Sequence, residues 1–161
     1  EDFTLECWVY ADNAPNNYAA IMALFDWPNN QRSWSLQTNN SGGIQFYIST
    51  DGSNTITSST VPTLPVNQWV HLACTKEGSN MLLFINGTIA SQHTQAGSLY
   101  TNTSDPVRIG ANANASAYFD GKIQDCRFYK GIAKYTSSFS PPERSVQGTA
   151  RRYPSGIYVV S

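Results

Sequence analysis

Charged side chains are scarce in this chain: they make up 13% of its 161 residues, against an average of about 25% in soluble domains. The formal net charge is only −1. A surface built largely from Asn, Ser, Thr and Gln offers neutral donors and acceptors, which suit hydroxyl-rich ligands. It lacks the cations that neutralise phosphates, so the composition argues against nucleic acid as a partner.

Long hydrophobic runs are absent as well. No apolar segment approaches the roughly 20 residues that a membrane-spanning helix needs, and we therefore expect no membrane insertion. Helical periodicity is also missing, and short strand-like segments alternate with clusters of Asn, Gly, Ser and Pro. Many short strands with polar turns predict a single all-β domain, a sandwich or a barrel. The predicted strands are 3–10, 20–26, 32–38, 44–50, 69–77, 81–86, 88–92, 107–110, 119–129 and 157–160.

Three segments carry the most specific motifs: FTLECWVY at 3–10, WVHLACTKEGSNMLLFINGTIA at 69–90 and FDGKIQDCRFYKGIAKYTSSFSPP at 119–142. They resemble the laminin G-like branch of the concanavalin A-like lectin/glucanase superfamily. The third also resembles versions of this domain in bacteriophage tail and virion proteins. Within the second, Asn86-Gly87 between apolar runs predicts a type I′ hairpin turn.

The resemblance implies an antiparallel jelly-roll β-sandwich, concanavalin A-like, over residues 1–142, followed by a C-terminal tail over 143–161. Laminin G-like domains normally carry a further strand before the segment that starts here at Phe3. Either that strand lies upstream, or residues 157–160 take its place as a closing strand.

The same superfamily includes glycoside hydrolases, which place a nucleophile and an acid at alternating positions of one strand. None of the eleven Asp and Glu residues here stands two positions from another. The chain also has no Gly-x-Ser-x-Gly elbow and no glycine-rich phosphate loop. We therefore expect a protein that is not an enzyme.

Cysteine is rare and odd in number: Cys7, Cys74 and Cys126 each fall in a predicted strand. An odd count excludes a fully paired disulfide framework. We expect free thiols that are buried as small hydrophobes and lie close together, since the strands that bear them are neighbours in related folds. Such cysteines favour assembly in a reducing cytoplasm, and their spacing does not supply a zinc site.

The hairpin of 32–38 and 44–50 alternates apolar and polar side chains. Period-two alternation directs Leu36 and Phe46 toward the core and Gln37 and Tyr47 to the outer face. Two interpretations remain open: an ordinary solvated sheet face, or a binding surface that bears one aromatic side chain, Tyr47.

Four Asn-rich loops, 11–18, 26–32, 98–106 and 111–118, also carry aromatic side chains. An exposed ring beside amides is typical of sugar sites, because the ring covers the apolar C–H face while the amides bond the hydroxyls. The alternative is structural, since Asn forms turns and the rings can fold back onto the core. The candidate glycan-binding residues are Trp27, Asn29, Asn30, Tyr100, Asn114 and Tyr118.

Many domains of the resembled family bind calcium through Asp or Asn side chains and loop carbonyls, because this hard ion requires oxygen ligands. Asp26, Asp105 and Asp120 stand at loop or strand ends and are the candidate metal ligands. We expect no cofactor, and calcium is the alternative that this pattern leaves open. Asp125, within IQDCRF, stands where the family often has an acidic residue, and we expect its role to be structural.

Charge is unevenly distributed along the chain. Residues 119–161 hold seven Lys or Arg and three Asp or Glu, a net charge of +4, which leaves −5 for residues 1–118. The basic segment is either a solvated strand face with a flexible tail or a dock for an acidic neighbour.

Together these features predict a non-catalytic, lectin-like module on a virion or extracellular surface. We expect it to bind cell-surface glycan or polysaccharide weakly, in many copies held by its parent assembly. The alternative is a purely structural virion module, a decoration or appendage protein whose partners are other virion or surface proteins. Exposed, near-coplanar aromatic rings in one cluster would favour glycan binding, whereas buried loops would favour the structural alternative.

Overall fold

The computed structural model describes residues 1–15, 18–57, 63–113, 118–145, 151–152 and 158–159. This part of the chain contains twelve strands, and none of it forms a helix that is long and apolar enough to cross a membrane. The strands are β1 (Phe3–Ala11), β2 (Ala20–Asp26), β3 (Gln31–Thr38), β4 (Ile44–Ile48), β5 (Ile56–Thr57), β6 (Trp69–Glu77), β7 (Asn80–Ile85), β8 (Thr88–Thr94), β9 (Arg108–Ile109), β10 (Gly121–Lys130), β11 (Arg151–Arg152) and β12 (Tyr158–Val159).

Ten of these strands form two five-stranded antiparallel sheets. Sheet I has the order β10-β1-β6-β7-β8 and sheet II the order β5-β4-β3-β2-β9. Every predicted strand corresponds to an observed one, and the antiparallel sandwich is confirmed. Within the described residues, β12 pairs with β11, and a closing strand at 157–160 stays a prediction.

The hydrophobic core lies between the two sheets. Leu5 and Val9 of sheet I are fully buried, as are Leu36 and Ile48 of sheet II, and each such side chain contributes about 1.5–3 kcal/mol relative to exposure. The alternation of β1, β3 and β4 therefore sets which face of each sheet meets the core, and it leaves the opposite faces to carry other contacts.

The turn between β7 and β8 has the predicted geometry. Asn86 and Gly87 both have positive φ, 49° and 76°, as a type I′ turn requires. Gly87 is also needed for space, because the Phe139 backbone lies where a Cβ would be placed. The tip of this hairpin therefore packs closely against the backbone of Phe139.

The segment that follows β10, residues 131–142, lies across the outer face of sheet I, and we call it the strap. The rings of Tyr135 and Phe139 are stacked with their centroids 3.5 Å apart and their planes 3° apart. Both rings pack against Phe84 of β7, in a cluster separate from the main core. Tyr135 and Phe139, which belong to the third motif, thus have a packing role.

The buried carboxylate of Glu6 anchors the strap. Its Oε1 accepts from Lys134 Nζ (2.8 Å) and the Tyr129 hydroxyl (3.0 Å), and its Oε2 accepts from the Tyr135 hydroxyl (2.6 Å). His71 Nε2 lies 3.4 Å from Oε2. Burial alone would raise the pKa of the Glu6 carboxyl, yet the hydrogen bonds from these neighbours outweigh it and hold the pKa well below its usual range.

The three cysteines are free, as predicted, and their thiols are close together. Cys7 and Cys74 are fully buried, and the Cys7 thiol is hydrogen-bonded to that of Cys126. The hydrogen bond to Cys126 and burial raise the pKa of Cys7. The expectation that all three are fully buried is wrong for Cys126, which is only partly buried because β10 is the edge strand of sheet I.

Asp125 has the structural role that we expected. The register of β1 and β10 shifts between Glu6 and Trp8, which marks a β-bulge, and Asp125 occupies it with a φ of 53°. Its carboxylate accepts hydrogen bonds from the Ser145 N–H (2.8 Å) and hydroxyl (2.7 Å). The bulge therefore fixes the chain beyond the strap against sheet I.

Candidate functional site

The polar face of sheet II is not solvated. Alternation directs Ser35, Gln37, Gln45 and Tyr47 away from the core, as predicted, but Ser35 is only 1% exposed and Gln37 only 6%. The interpretation as an ordinary wet sheet face is therefore wrong. Loops from elsewhere in the chain cover this face, and alternation within the hairpin gives no information about them.

A cavity of about 400 Å³ lies on this covered face, within the range of roughly 300–1,000 Å³ that is usual for small-molecule sites. Its floor is formed by side chains of sheet II, and its walls come from loops that are distant in sequence. The described lining residues are Tyr18, Phe25, Trp27, Gln37, Tyr47, Thr55, Asn112 and Ala113.

Three aromatic side chains form one side of the cavity, and we call Phe25, Trp27 and Tyr47 the aromatic shelf. The rings of Phe25 and Tyr47 lie 6.3 Å apart with an interplanar angle of 21°. Those of Phe25 and Trp27 lie 6.2 Å apart at 33°. The rings of Phe25 and Tyr47 are thus close to parallel, the ring of Trp27 is tilted from that of Phe25, and Trp27 is 56% exposed.

Arg32 holds Trp27 in place from its other side. The guanidinium carbon lies 3.7 Å from the Trp27 ring centroid, in a cation–π contact. The same guanidinium donates to the carbonyls of Trp27 (3.0 Å) and Ser53 and to Asn30 Oδ1 (3.1 Å). The shelf is consequently organised before any ligand arrives.

The predicted glycan-binding residues are only partly brought together. Trp27 lines the cavity, whereas the neighbouring amides support the turn: Asn29 donates to Asp26 (2.6 Å) and Asn30 accepts from Arg32. Tyr118 is 60% exposed and is not among the described lining residues. Asn114 lies outside the described residues.

Tyr100 packs over sheet II as part of the cover. Its carbonyl accepts from the Ser33 hydroxyl (2.7 Å), its N–H donates to the Ser49 carbonyl (2.8 Å), and its hydroxyl donates to Gln31 Oε1 (3.2 Å). These bonds close one end of the face. They give Tyr100 the structural role that was the alternative interpretation of the loop aromatics.

Four lining residues were not predicted: Phe25, Thr55, Asn112 and Ala113. The signal for Phe25 was present, since alternation along β2 directs Ala23 and Phe25 to one face of the strand and Leu24 to the other. It was hidden because β2 is apolar on both faces, as strands covered on two sides are. For the loop residues the sequence holds no comparable signal.

The three candidate metal ligands do not meet. Asp105 precedes β9, and its carboxylate accepts from Asn102 (3.1 Å) and lies 3.8 Å from Arg108. Asp120 accepts from Asn13 (2.7 Å). The residue before it, Phe119, donates its N–H to Gly110, which in turn donates to Ile21 near the start of β2, about 16 Å from Asp26 at roughly 3.3 Å per strand residue. Within the described residues no three His, Cys, Asp or Glu side chains form a group that could hold a metal.

The basic C-terminal segment is used within the domain. Lys134 and Arg127 face Glu6, and Lys122 Nζ lies 2.8 Å from the Asp12 carboxylate. The Arg144 guanidinium lies 4.3 Å from the Trp69 ring centroid. These contacts support the interpretation as a strand face and leave those cations less suited to dock an acidic neighbour.

Several known proteins are similar to this chain. Pappalysin-1 of Mus musculus is 28% identical over 120 residues, which are 66% of this chain and 7% of pappalysin-1. The chain thus spans a small part of the length of this curated relative. The CBM40 domain of the Ruminococcus gnavus IT-sialidase, bound to α2,3-sialyllactose, matches with a TM-score of 0.68 at 18% identity, over 82% of this chain and 77% of that one.

A second similar structure is domain 4 of AbnA, a GH43 extracellular arabinanase from Geobacillus stearothermophilus, in complex with arabinotriose. It has a TM-score of 0.63 at 18% identity, over 81% of this chain and 61% of that one. At such identities the likeness shows the fold. The chain also matches the model of a protein family over residues 1–133, a range that includes every strand of both sheets. The chain belongs to this laminin G-type family of the concanavalin A-like lectin/glucanases superfamily.

Proposed function

We propose that this chain is a non-catalytic, lectin-like module that binds glycan in the cavity on the outer face of sheet II. The observation that carries the proposal is the aromatic shelf beside the buried amide of Gln37. Two solved domains of the same fold are complexes with sugars, α2,3-sialyllactose and arabinotriose, and they support the assignment.

The lining suits the two surfaces of a sugar ring. The shelf offers flat apolar area to the C–H face. Gln37 Oε1 accepts from the Ser35 hydroxyl (2.7 Å), which orients the amide so that Nε2 is the donor that it offers to a ligand. Thr55 adds a hydroxyl at the wall. Such a site positions a sugar without reacting with it.

Hydrolysis has no support in the cavity. None of the eight described lining residues carries a carboxyl group, whereas retaining glycosidases need two carboxyls about 5–5.5 Å apart. This agrees with the absence of the strand carboxylate pair from the sequence, and it is why we propose binding alone.

We propose an extracellular or virion surface as the setting, with many copies acting together. The third motif supports it through its resemblance to bacteriophage tail and virion domains, and the AbnA domain belongs to an extracellular enzyme. The structural alternative, a decoration or appendage module attached to other virion or surface proteins, has less support because Lys122, Arg127, Lys134 and Arg144 are engaged internally.

We propose Asp26 as the calcium ligand among the three candidates. Its buried Oδ1 has no hydrogen-bond partner, and a carboxylate oxygen is a ligand that suits a hard ion. Calcium should then raise the melting temperature of the wild type but not of Asp26→Asn. Equal shifts in both proteins, or none in either, would contradict this assignment.

The glycan proposal is tested with a multimerised module on a glycan array and on host-cell surfaces. Trp27→Ala and Tyr47→Ala should each weaken binding at least about tenfold, equivalent to about 1.4 kcal/mol, because each removes a ring of the shelf. Tyr47→Phe is the matched control, since it keeps the ring. If the wild-type multimer binds no glycan, the proposal is wrong and the structural alternative becomes the better one.

Tyr118→Ala separates the cavity from the exposed loop. Tyr118 and Asn114 remain predictions from the sequence, and a cavity site leaves binding unchanged when Tyr118 is truncated. Loss of binding in Tyr118→Ala together with unchanged binding in Trp27→Ala would move the site to the loop at 111–118.

A further inference from the structure

The cavity is free of charge on every described side. Its eight lining residues are aromatic, amide, hydroxyl or aliphatic, and none is ionisable near neutral pH. Outside the described residues, the segments next in the chain to Tyr18, Thr55 and Ala113 are 16–17, 58–62 and 114–117, and their sequences contain no Asp, Glu, Lys or Arg.

Arg32, the cation that the structure describes in contact with the shelf, is already committed. Arg32 is 9% exposed, it lies over the Trp27 ring, and its terminal nitrogens donate to two carbonyls and one amide oxygen. Turning toward a ligand would break these bonds and release Trp27. Arg32 therefore maintains the shelf and is not positioned to pair with an anionic ligand.

Two carboxylates stand close in the chain to the lining residues, and the nearby cation Arg108, paired with Ala23 across β2 and β9, lies 3.8 Å from the Asp105 carboxylate. Asp26 directly precedes Trp27, and its buried Oδ1 has no hydrogen-bond partner. Asp51 stands four positions before Thr55 and accepts three hydrogen bonds from Ser53 and Asn54. A carboxylate brought into the cavity would be desolvated with no ion-pair partner among the described lining residues, and an unpaired buried charge is costly.

We infer that the cavity selects neutral sugars and rejects acidic ones, such as sialic or uronic acids. The inference rests on the proposed function and specifies its ligand class. It sets this chain apart from the similar CBM40 domain, whose solved complex contains a sialylated sugar.

The test compares neutral sugars with acidic counterparts of related structure. The full chain is titrated calorimetrically with lactose against α2,3-sialyllactose, and with methyl-esterified against de-esterified oligogalacturonides, after an array has ranked further neutral sugars and their acidic counterparts. We expect every neutral member that binds to do so at least about tenfold more tightly than its acidic partner. Its affinity should change little between about 0.05 and 0.5 M salt, since no ion pair is formed.

The outcomes separate the two proposals. Tighter binding of acidic members, lost in Tyr47→Ala and reduced by salt, would overturn the selection for neutral sugars and leave the glycan cavity standing. Binding of neutral members that is unchanged in Tyr47→Ala and Trp27→Ala would place the sugar elsewhere and overturn both. No binding of any array member would overturn the proposed function and, with it, the selectivity.

Discussion

A single carboxylate, that of Glu6, joins β1 to the strap. Glu6→Gln keeps the side-chain volume but removes the charge that Lys134 faces at 2.8 Å. Lys134 is partly exposed, so we expect a loss of about 1.5–3 kcal/mol of unfolding free energy, the contribution of a hydrogen bond to a charged group, in urea denaturation at neutral pH. Glu1→Gln is the matched control: its partner Lys130 is exposed and 3.7 Å away, so the change should stay below about 0.5 kcal/mol.

The same carboxylate predicts a pH dependence. Its folded-state pKa lies below the usual value, so the unfolded chain takes up the proton more readily than the folded one. The stabilisation is fully present above about pH 5 and is lost as the pH falls further. The stability difference between wild type and Glu6→Gln should therefore shrink on acidification. A difference that stays constant would show that Glu6 is not charged in the folded protein.

Cys126 should be the first thiol to react. It is only partly buried, and the hydrogen bond from Cys7 lowers its pKa despite the opposing effect of burial, so more of it is thiolate, the reactive form. Under native conditions a maleimide should label Cys126 alone, and in denaturant all three cysteines, as counted by mass spectrometry. Native labelling of Cys7 or Cys74 at a similar rate would contradict the buried thiol cluster.

The strap should stabilise strands of sheet I as well as its own residues. Phe139 stacks on Tyr135 and packs on Phe84, so Phe139→Ala should lower the unfolding free energy by about 1–3 kcal/mol, less than for a fully buried Phe. It should also raise hydrogen exchange in β6 and β7. Ile132→Ala, in the same strap but exposed, should change stability by less than about 0.5 kcal/mol.

The strands were predictable because their signals are local. Alternation and turn residues such as Asn86-Gly87 lie within a few positions of the geometry that they determine. The strap has no period, and its position depends on Phe84 and Glu6, which are more than 45 residues away. Its motif could be recognised, but its contacts with sheet I could not be derived.

The cavity depends on several separate loops of the chain. Alternation predicted that Gln37 and Tyr47 share an outward face, and the exposed ring of Trp27 was expected. Their enclosure required Tyr18, Thr55 and Asn112 to come from three separate loops, and no pattern within a loop specifies which sheet face it will cover. For this reason the floor of the site could be predicted from the sequence, whereas its walls could not.

For the molecule as a whole, one shallow neutral site predicts weak monovalent binding. Each hydrogen bond contributes about 0.5–1.5 kcal/mol, and we expect dissociation constants from about millimolar to tens of micromolar. Fusion to a trimeric or larger scaffold should raise the apparent affinity by roughly 10² to 10⁴, as measured by surface plasmon resonance on a glycan-coated chip. Nanomolar binding by the monomer would require a larger interface than this cavity.

The strap and the cavity lie on opposite outer faces of the sandwich, the strap behind sheet I and the cavity in front of sheet II. Ser145, held by Asp125 of β10, keeps the chain on the strap side for at least three residues after Pro142. A scaffold attached to the strap side of the domain leaves the aromatic shelf facing outward. Neighbouring copies mounted in this way would all present their cavities toward the same target layer, with no need for a hinge to aim them.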